Sequence, residues 1–493
     1  GWPGIVAKWR GGRNRAVRAG RRFRYHWLPM TAVFRTRFAP SPTGLLHLGN
    51  VRTALFNWLL AHRHRGRFLL RIEDTDAMRG HERYTQALME DLRWLGLDWQ
   101  EGPTAGGESG PYLQSERNEI YRQYFERLHA AGRAYPCFCS EHELSVSRKT
   151  ALAAGRPPRY SGKCRSLGAA EVQARFAAGT PATLRFRVED GRTIEFNDGV
   201  RGAQHFASDD IGDFIIRRSD GTPAFFFCNA IDDALMGITL VVRGEDHLTN
   251  TPRQLLLLEA LGLPKPGYAH IALVVGGDGA PLSKRTGSKS VQDLREAGYL
   301  PGAVNNYLAR LGHTYDDNGY LDPGRLAAAF TMEHLHKSPA RFDEAQLKYW
   351  QHQAVRQADN AALWAWMGDG VARVPAAQRD AFIEAVRGNL TFPGDARHWA
   401  SVVYDDAFTP AHDAREVIDK AGAAFYDAAR RALDIHGTDF RAIAGDIKGA
   451  LGIAGKALFQ PLRAALTGEL DGPEMARLLP LIGAERARKR LTM

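Results

Sequence analysis

The sequence predicts a parallel α/β fold interrupted by an insertion and followed by an all-helical region. Three observations carry this. Apolar strands alternate with helical stretches from Val33 onward. The same alternation returns, after a less regular middle, at "GITLVVRGEDHLTNTPRQLLLLEALGL". Beyond about residue 355 strand signals fade, and Ala, Leu and Arg dominate. At 493 residues the chain exceeds one ordinary core, so two to four domains are expected.

Residues 1–30 hold eight Lys and Arg and no acid, a charge of +8 out of the chain's total of +10. The segment lacks apolar periodicity, so 1–29 reads as a disordered basic extension. A transit peptide would be rich in Ser, and none occurs here. A nucleic-acid-binding arm is a second reading. The preferred one is that the natural start is Met30, with upstream sequence attached. The rest of the chain carries only +2, so any nucleic-acid surface there must be a local patch.

From Val33, "VFRTRF" reads as a buried strand ending at Phe38. Asn50 is a plausible N-cap for a helix from Val51 to about His64. "RFLLRIEDTD" supplies a second strand whose far end carries Glu73, Asp74 and Asp76. Ligands of such sheets sit at the carboxyl ends of strands, where both the "APSPTG" loop and these acids lie. In the middle, "AAGRPPRYSGKC" reads as loop, and "TLRFRV" and "RTIEF" as strands. After the strand "ITLVV" comes Arg243, and Thr251 is expected to cap a helix with Pro252 at its first position. Val417, Ala421, Ala424, Ala428 and Ala432 recur at helical spacing near the end.

No window holds the 18 or so apolar residues of a membrane span. The four cysteines, Cys137, Cys139, Cys164 and Cys228, are too few for a disulfide scaffold and indicate a reducing, cytoplasmic setting.

The chemistry is expected in two loops. "TGLLHLGN" feeds a helix N-terminus, whose unpaired N–H groups and positive dipole end suit a phosphate. Gly49 permits close backbone approach, and His47 can donate to phosphate oxygens. Downstream, "LSKRTG" sets Lys284 and Arg285 in a Gly-rich loop, a cationic clamp for charge developing in nucleotidyl transfer.

"HLGN" followed by "LSKR" resembles the HIGH and KMSKS signatures of class I aminoacyl-tRNA synthetases. The longer stretches "RFAPSPTGLLHLGN", "RIEDTD", "GPYLQSER", "RGEDHLTNTPRQ" and "KALFQPLRAALTG" are similar to those of the bacterial glutamyl-tRNA synthetases and occur in family order. The resemblance implies a Rossmann-type catalytic domain with an inserted acceptor-stem-binding domain and an all-α C-terminal anticodon-binding region. The expected bounds are 30–112 and 226–275 for the catalytic halves and 113–225 for the insertion. A KMSKS-loop and stem-contact region follows at 276–354, then the anticodon-binding helices at 355–493.

It also implies ATP with Mg2+, L-glutamate and tRNA(Glu) as ligands, and a monomer. His47, Gly49 and Asn50, with Ser283, Lys284 and Arg285, match the family's ATP-binding positions, His47 and Lys284 being the catalytic pair. Free glutamate has two carboxylates and one ammonium, so its site wants arginine forks and an acid. Arg37, Ser41, Glu73, Phe225 and Arg243 match the family's glutamate positions. Arg243 is assigned to the side-chain carboxylate and Glu73 to the ammonium. Cys137, Cys139 and Cys164 fit a structural zinc site one ligand short of four. The resemblance offers Tyr160 as the fourth, while His142 is a chemical rival and Ser166 or water are weaker ones.

Three positions depart from the family pattern. Pro281 replaces the first lysine of the KMSKS-type motif, Asn50 ends the HIGH-type motif, and Phe225 stands where a tyrosine is usual. The rivals are a glutaminyl-tRNA synthetase, which would end in β-barrels, and a truncated tRNA-modifying homologue, which would lack residues past about 355. A tRNA-binding paralogue without glutamate activation, and a small-molecule ligase of the same fold, complete the set.

Overall fold

The computed structural model describes residues 33–75, 81–155, 159–282, 289–406 and 409–492. The basic segment 1–30 and the loop residues Ser283, Lys284 and Arg285 lie outside the described residues.

Strand β1 (Arg35–Phe38) runs into helix α1 (Leu48–Arg63), which returns to strand β2 (Arg67–Leu70), parallel to β1 in the register Arg35 to Arg67. Phe68, Leu69 and Leu70 are all fully buried, as befits a strand covered on both faces. Helix α1 starts earlier than the sequence pattern predicts. Its N-cap is His47, in extended conformation, and Asn50 lies within the first turn. Leu48, Val51, Leu55 and Leu59 form one fully buried stripe. Burial of Leu48 draws the helix start back by three residues and overrides the capping preference of Asn50.

The middle of the chain holds β3 (Ala134–Cys137), β4 (Thr183–Phe186), β5 (Thr193–Asp198), β6 (Gly202–Ala207) and β7 (Phe214–Arg217). Strands β3, β4 and β7 form an antiparallel sheet in that order. The β5–β6 hairpin behaves differently. It leaves that sheet and joins the main one, Asp198 of β5 pairing with Tyr268 of β9 (Gly267–Ile271).

Strand β8 (Leu240–Gly244) runs parallel to β9 and is tied to β1, the Thr239 N–H donating to the Arg35 carbonyl at 3.0 Å. The carboxyl ends of β1, β2 and β8 therefore open to one side of the molecule. The helix after β8 is Thr251–Leu261 with Pro252 in its first turn, but Asn250, not Thr251, is its N-cap. A 3-10 turn over Glu245–Asn250 already winds the backbone, which leaves the Thr251 hydroxyl for other partners.

After the two-residue strand Ala340–Arg341, which pairs with Val274–Val275, the described chain is helical. One buried apolar cluster extends there from Val355 to Leu491. The alanine stripe is only partly realised, because the helix His412–His436 is broken at Gly422 (φ 76°). The register restarts beyond the break, so Phe425, Ala428, Ala429 and Ala432 are buried while Ala424 is exposed. Among the described residues no helix is long and apolar enough to cross a membrane.

Candidate active site

A cavity of about 870 Å³ opens where β1, β2 and β8 end. Arg37, Ser41, His47, Gly49, Asn50, Glu73, Phe225 and Arg243 all line it, so one space brings together the described residues expected for ATP and glutamate.

On the nucleotide side, His47 lies over Gly49: a Cβ on Gly49 would come within 3.4 Å of His47 Nδ1. That is ordinary van der Waals contact, so the ring itself would tolerate a Cβ, and what Gly49 keeps open is the cavity it lines. His47 also pairs with Ser290 as an antiparallel bridge, and the Val291 N–H donates to the Leu46 carbonyl at 2.9 Å. The downstream end of the "LSKRTG" loop is thereby stitched to the histidine loop. Pro281, at the upstream end, also lines the cavity and pairs with Val275.

On the other side stands a buried network of charge. Arg37 grips Asp233 with two hydrogen bonds, Nε to Oδ1 at 3.0 Å and Nη2 to Oδ2 at 3.2 Å. Arg71, fully buried, donates to Asp233 Oδ1 at 2.8 Å and to Asn229 Oδ1 at 3.1 Å. Burial opposes ionisation of Asp233, but Arg37 and Arg71 outweigh it and hold the carboxyl below its ordinary value. Glu73 sits beside this group, 3.8 Å from Arg71 Nη2, with its own N–H bonded to the Pro40 carbonyl. Burial pushes its carboxyl up to about 7, against the pull of Arg71, Arg37 and Asn229. A carboxylate held so reluctantly gains from a cation placed in the cavity.

Arg243 is the complement. It makes no ion pair among the described residues, and its Nη1 is buried without a hydrogen-bond partner. Burial lowers its pKa to about 10, which leaves it cationic at neutral pH. The site thus offers an uncompensated guanidinium and a strained carboxylate across one cavity. Ser41 is exposed at the rim, and Phe225, opening the helix Phe225–Leu235, stacks on His247 with centroids 5.2 Å apart.

Sequence reasoning missed the supporting residues Arg71, Asn229, Asp232 and Asp233. The signal was present in two motifs. Gln114 and Arg117 of "GPYLQSER" reach Asp232 at 2.8 and 2.7 Å, which joins that stretch to the acids of "NAIDDAL".

Away from the cavity, the sulfur atoms of Cys137, Cys139 and Cys164 lie within 4.8 Å of one another. Cys139 and Cys164 are 3.7 Å apart, close to the roughly 3.8 Å that two thiolates adopt on a tetrahedral zinc. The Tyr160 hydroxyl lies 3.4 Å from Cys137 Sγ and 3.6 Å from Cys139 Sγ. The donor set therefore fits zinc. His142, the rival ligand, is exposed and outside the cluster. Cys228 is buried elsewhere and donates to the Phe225 carbonyl.

Residues 33–349 match the family described as tRNA synthetases class I (E and Q), catalytic domain. The chain belongs to this class I synthetase family. Residues 399–493 match the anticodon binding domain, so the synthetase carries the helical type of C-terminus. This sets aside both the truncated homologue and the small-molecule ligase. The chain is 60% identical to glutamate–tRNA ligase 2 of Nitrosococcus oceani over 458 residues, 93% of this chain and 97% of the relative. It is 52% identical to glutamate–tRNA ligase 1 of Coxiella burnetii over 460 residues, 93% and 99% of the two chains. The crystal structure of a glutamate tRNA ligase from Elizabethkingia meningosepticum, in complex with its amino acid, superposes with a TM-score of 0.83 at 31% identity, covering 94% of this synthetase and 99% of that chain.

Proposed function

We propose that this synthetase is a glutamate–tRNA ligase. The observation that carries the reading is the pairing, across one cavity, of a buried arginine without an acid and a buried glutamate driven toward neutrality. Free glutamate satisfies both. Its side-chain carboxylate meets Arg243 and its ammonium meets Glu73, with Arg37, Ser41 and Phe225 shaping the remaining wall.

The α-carboxylate attacks the α-phosphorus of ATP, a P–O bond forms as pyrophosphate leaves, and glutamyl-adenylate results. The terminal ribose hydroxyl of tRNA(Glu) then attacks the acyl carbon and AMP departs. His47, Gly49 and Asn50 at the start of α1 hold the phosphates. Ser283, Lys284 and Arg285 complete the clamp from the second loop, Lys284 offsetting the charge that builds in the transition state. Family membership implies Mg2+ with the ATP. The thiolates of Cys137, Cys139 and Cys164, with Tyr160, would hold a structural zinc that cross-links β3 to the loop before β4. The C-terminal helices would anchor tRNA phosphates and read unstacked anticodon bases. The expected setting is a cytoplasmic monomer.

The test is glutamate-dependent ATP–pyrophosphate exchange with and without tRNA(Glu), beside a Lys284→Ala control. Exchange that requires tRNA and collapses in the control supports the reading. No exchange with tRNA still bound would instead make the chain a binding paralogue marked by Pro281 and Phe225.

A further inference from the structure

Arg243 is fixed by three side-chain acceptors, beside a longer contact of 3.5 Å from Nη2 to the His247 carbonyl. Its Nε donates to His270 Nε2 at 3.1 Å, and Nη2 donates to Thr251 Oγ1 at 2.8 Å and Gln254 Oε1 at 2.7 Å. All three partners are fully buried, and none carries a charge that would compete with a substrate carboxylate. His270 is in turn fixed from behind, its Nδ1 lying 2.5 Å from Asp198 Oδ2. Asp198 has no freedom to turn, because its Oδ1 accepts three backbone N–H groups, from Val200, Arg201 and His270, at 2.9, 2.8 and 3.1 Å.

We infer that His270 and Asp198 are positioning residues for glutamate recognition, a buried relay that orients the Arg243 guanidinium toward the substrate's side-chain carboxylate. The inference rests on the reading that Arg243 holds that carboxylate.

The hydrogen positions follow from the partners. An ionised carboxylate only accepts, so His270 Nδ1 carries the proton. A guanidinium N–H only donates, so Nε2 presents its lone pair. The ring is therefore the neutral Nδ1–H tautomer, and it converts the anion of Asp198 into a neutral acceptor for Arg243. Direct contact with Asp198 would have cancelled the charge that the substrate needs. Ring geometry adds rigidity: His270 stacks parallel to Tyr268 (interplanar angle 7°), and the Arg243 guanidinium lies 5.4 Å from the same tyrosine ring. Without the Nε2 acceptor, Nε loses its partner while Thr251 and Gln254 still hold Nη2, so the guanidinium plane can turn about that anchor and carry Nη1 away from the substrate carboxylate. Asp198 also ends β5, so the hairpin of the middle region is joined to the amino-acid site through one carboxylate.

The test uses the full chain in steady-state aminoacylation, with KM for glutamate, KM for ATP and kcat measured separately. His270→Asn keeps a donor toward Asp198 but removes the acceptor facing Arg243. His270→Gln places an amide oxygen near the position of Nε2. The expected result is a glutamate KM raised about tenfold or more in His270→Asn and recovered to within about threefold in His270→Gln, with ATP KM and kcat changed less than about twofold. A merely structural role would move all three constants together, or leave the two variants alike, and either result overturns the inference. If His270→Asn does not fold, Asp198→Asn is read in its place: a glutamate KM raised about fivefold is expected, and an unchanged one overturns the inference. Arg243→Lys separates the two levels. An unchanged glutamate KM in Arg243→Lys overturns the underlying reading and the inference with it. A raised KM there, with the histidine and aspartate variants unaffected, overturns the inference alone.

Discussion

Lowering the pH through 7 is expected to weaken glutamate binding through a single carboxylate, Glu73. Burial holds this group at about 7, with Arg71 and Arg37 opposing but not cancelling the shift. Only the ionised form can hold the substrate ammonium. At pH 6 about one carboxyl in ten is ionised, so the glutamate KM should lie about tenfold above its plateau at pH 8. His247 lines the same cavity, but burial holds it below its ordinary value, so its titration falls at lower pH. Glu73→Gln removes the titrating group and a charge-assisted hydrogen bond worth about 1.5–3 kcal/mol, which is about 10- to 150-fold in glutamate KM. The assay is aminoacylation from pH 5.5 to 8.5, with glutamate varied at saturating ATP and tRNA. The variant's profile should be flat. The sign for stability runs oppositely to the usual paired carboxylate. A pKa raised in the folded state stabilises below the unfolded value of 4.5, and this stabilisation is lost as pH rises through about 7. Glu73→Gln should therefore match the parent at pH 4 and exceed its stability at pH 8 by up to about 3 kcal/mol, read as a higher melting temperature. A variant that keeps the parent's pH dependence of glutamate KM refutes the assignment of Glu73.

Three further outcomes are expected. Gly49→Ala adds a Cβ that only touches His47 Nδ1, at 3.4 Å, so the ring stays and the methyl narrows the nucleotide side of the cavity; ATP KM should rise about tenfold with glutamate KM little changed, which separate substrate titrations check. Cys139→Ser should abolish about one equivalent of zinc measured by metal analysis, and a chelator should lower the parent's melting temperature without lowering that of the variant. Leu48→Ala removes a fully buried side chain from the first turn of α1 and should cost about 2–5 kcal/mol in urea unfolding, with no measurable loss meaning that Leu48 does not set the helix start.

Much of the candidate site is legible in the sequence. Parallel strands deliver the residues at their carboxyl ends to one opening, so Arg37, Glu73 and Arg243 converge there whatever the details of the packing. The cysteine pair Cys137 and Cys139 is local, and only Cys164 had to be brought to it. Helix boundaries were less legible. The sequence placed a cap at Asn50 and another at Thr251, yet burial of Leu48 moved the first start and the turn Glu245–Asn250 supplied the second. At Gly422 a positive φ broke a stripe that the alanine spacing had drawn as continuous.

What the sequence alone determined was the kind of chemistry: the loop before α1, the strand-end arginines and acid, and the separation of an α/β part from a helical one. These are written in local periodicity and in motifs a few residues long. What the tertiary structure decided was which charge is paired and which is left open. Arg37 finds Asp233, 196 residues away, while Arg243 is given His270, Thr251 and Gln254 and keeps its charge for a ligand. Those choices depend on strand order and register, here β5 docking on β9 to bring Asp198 behind His270. No local pattern encodes them, because residues distant in the chain become neighbours only once the sheet is assembled.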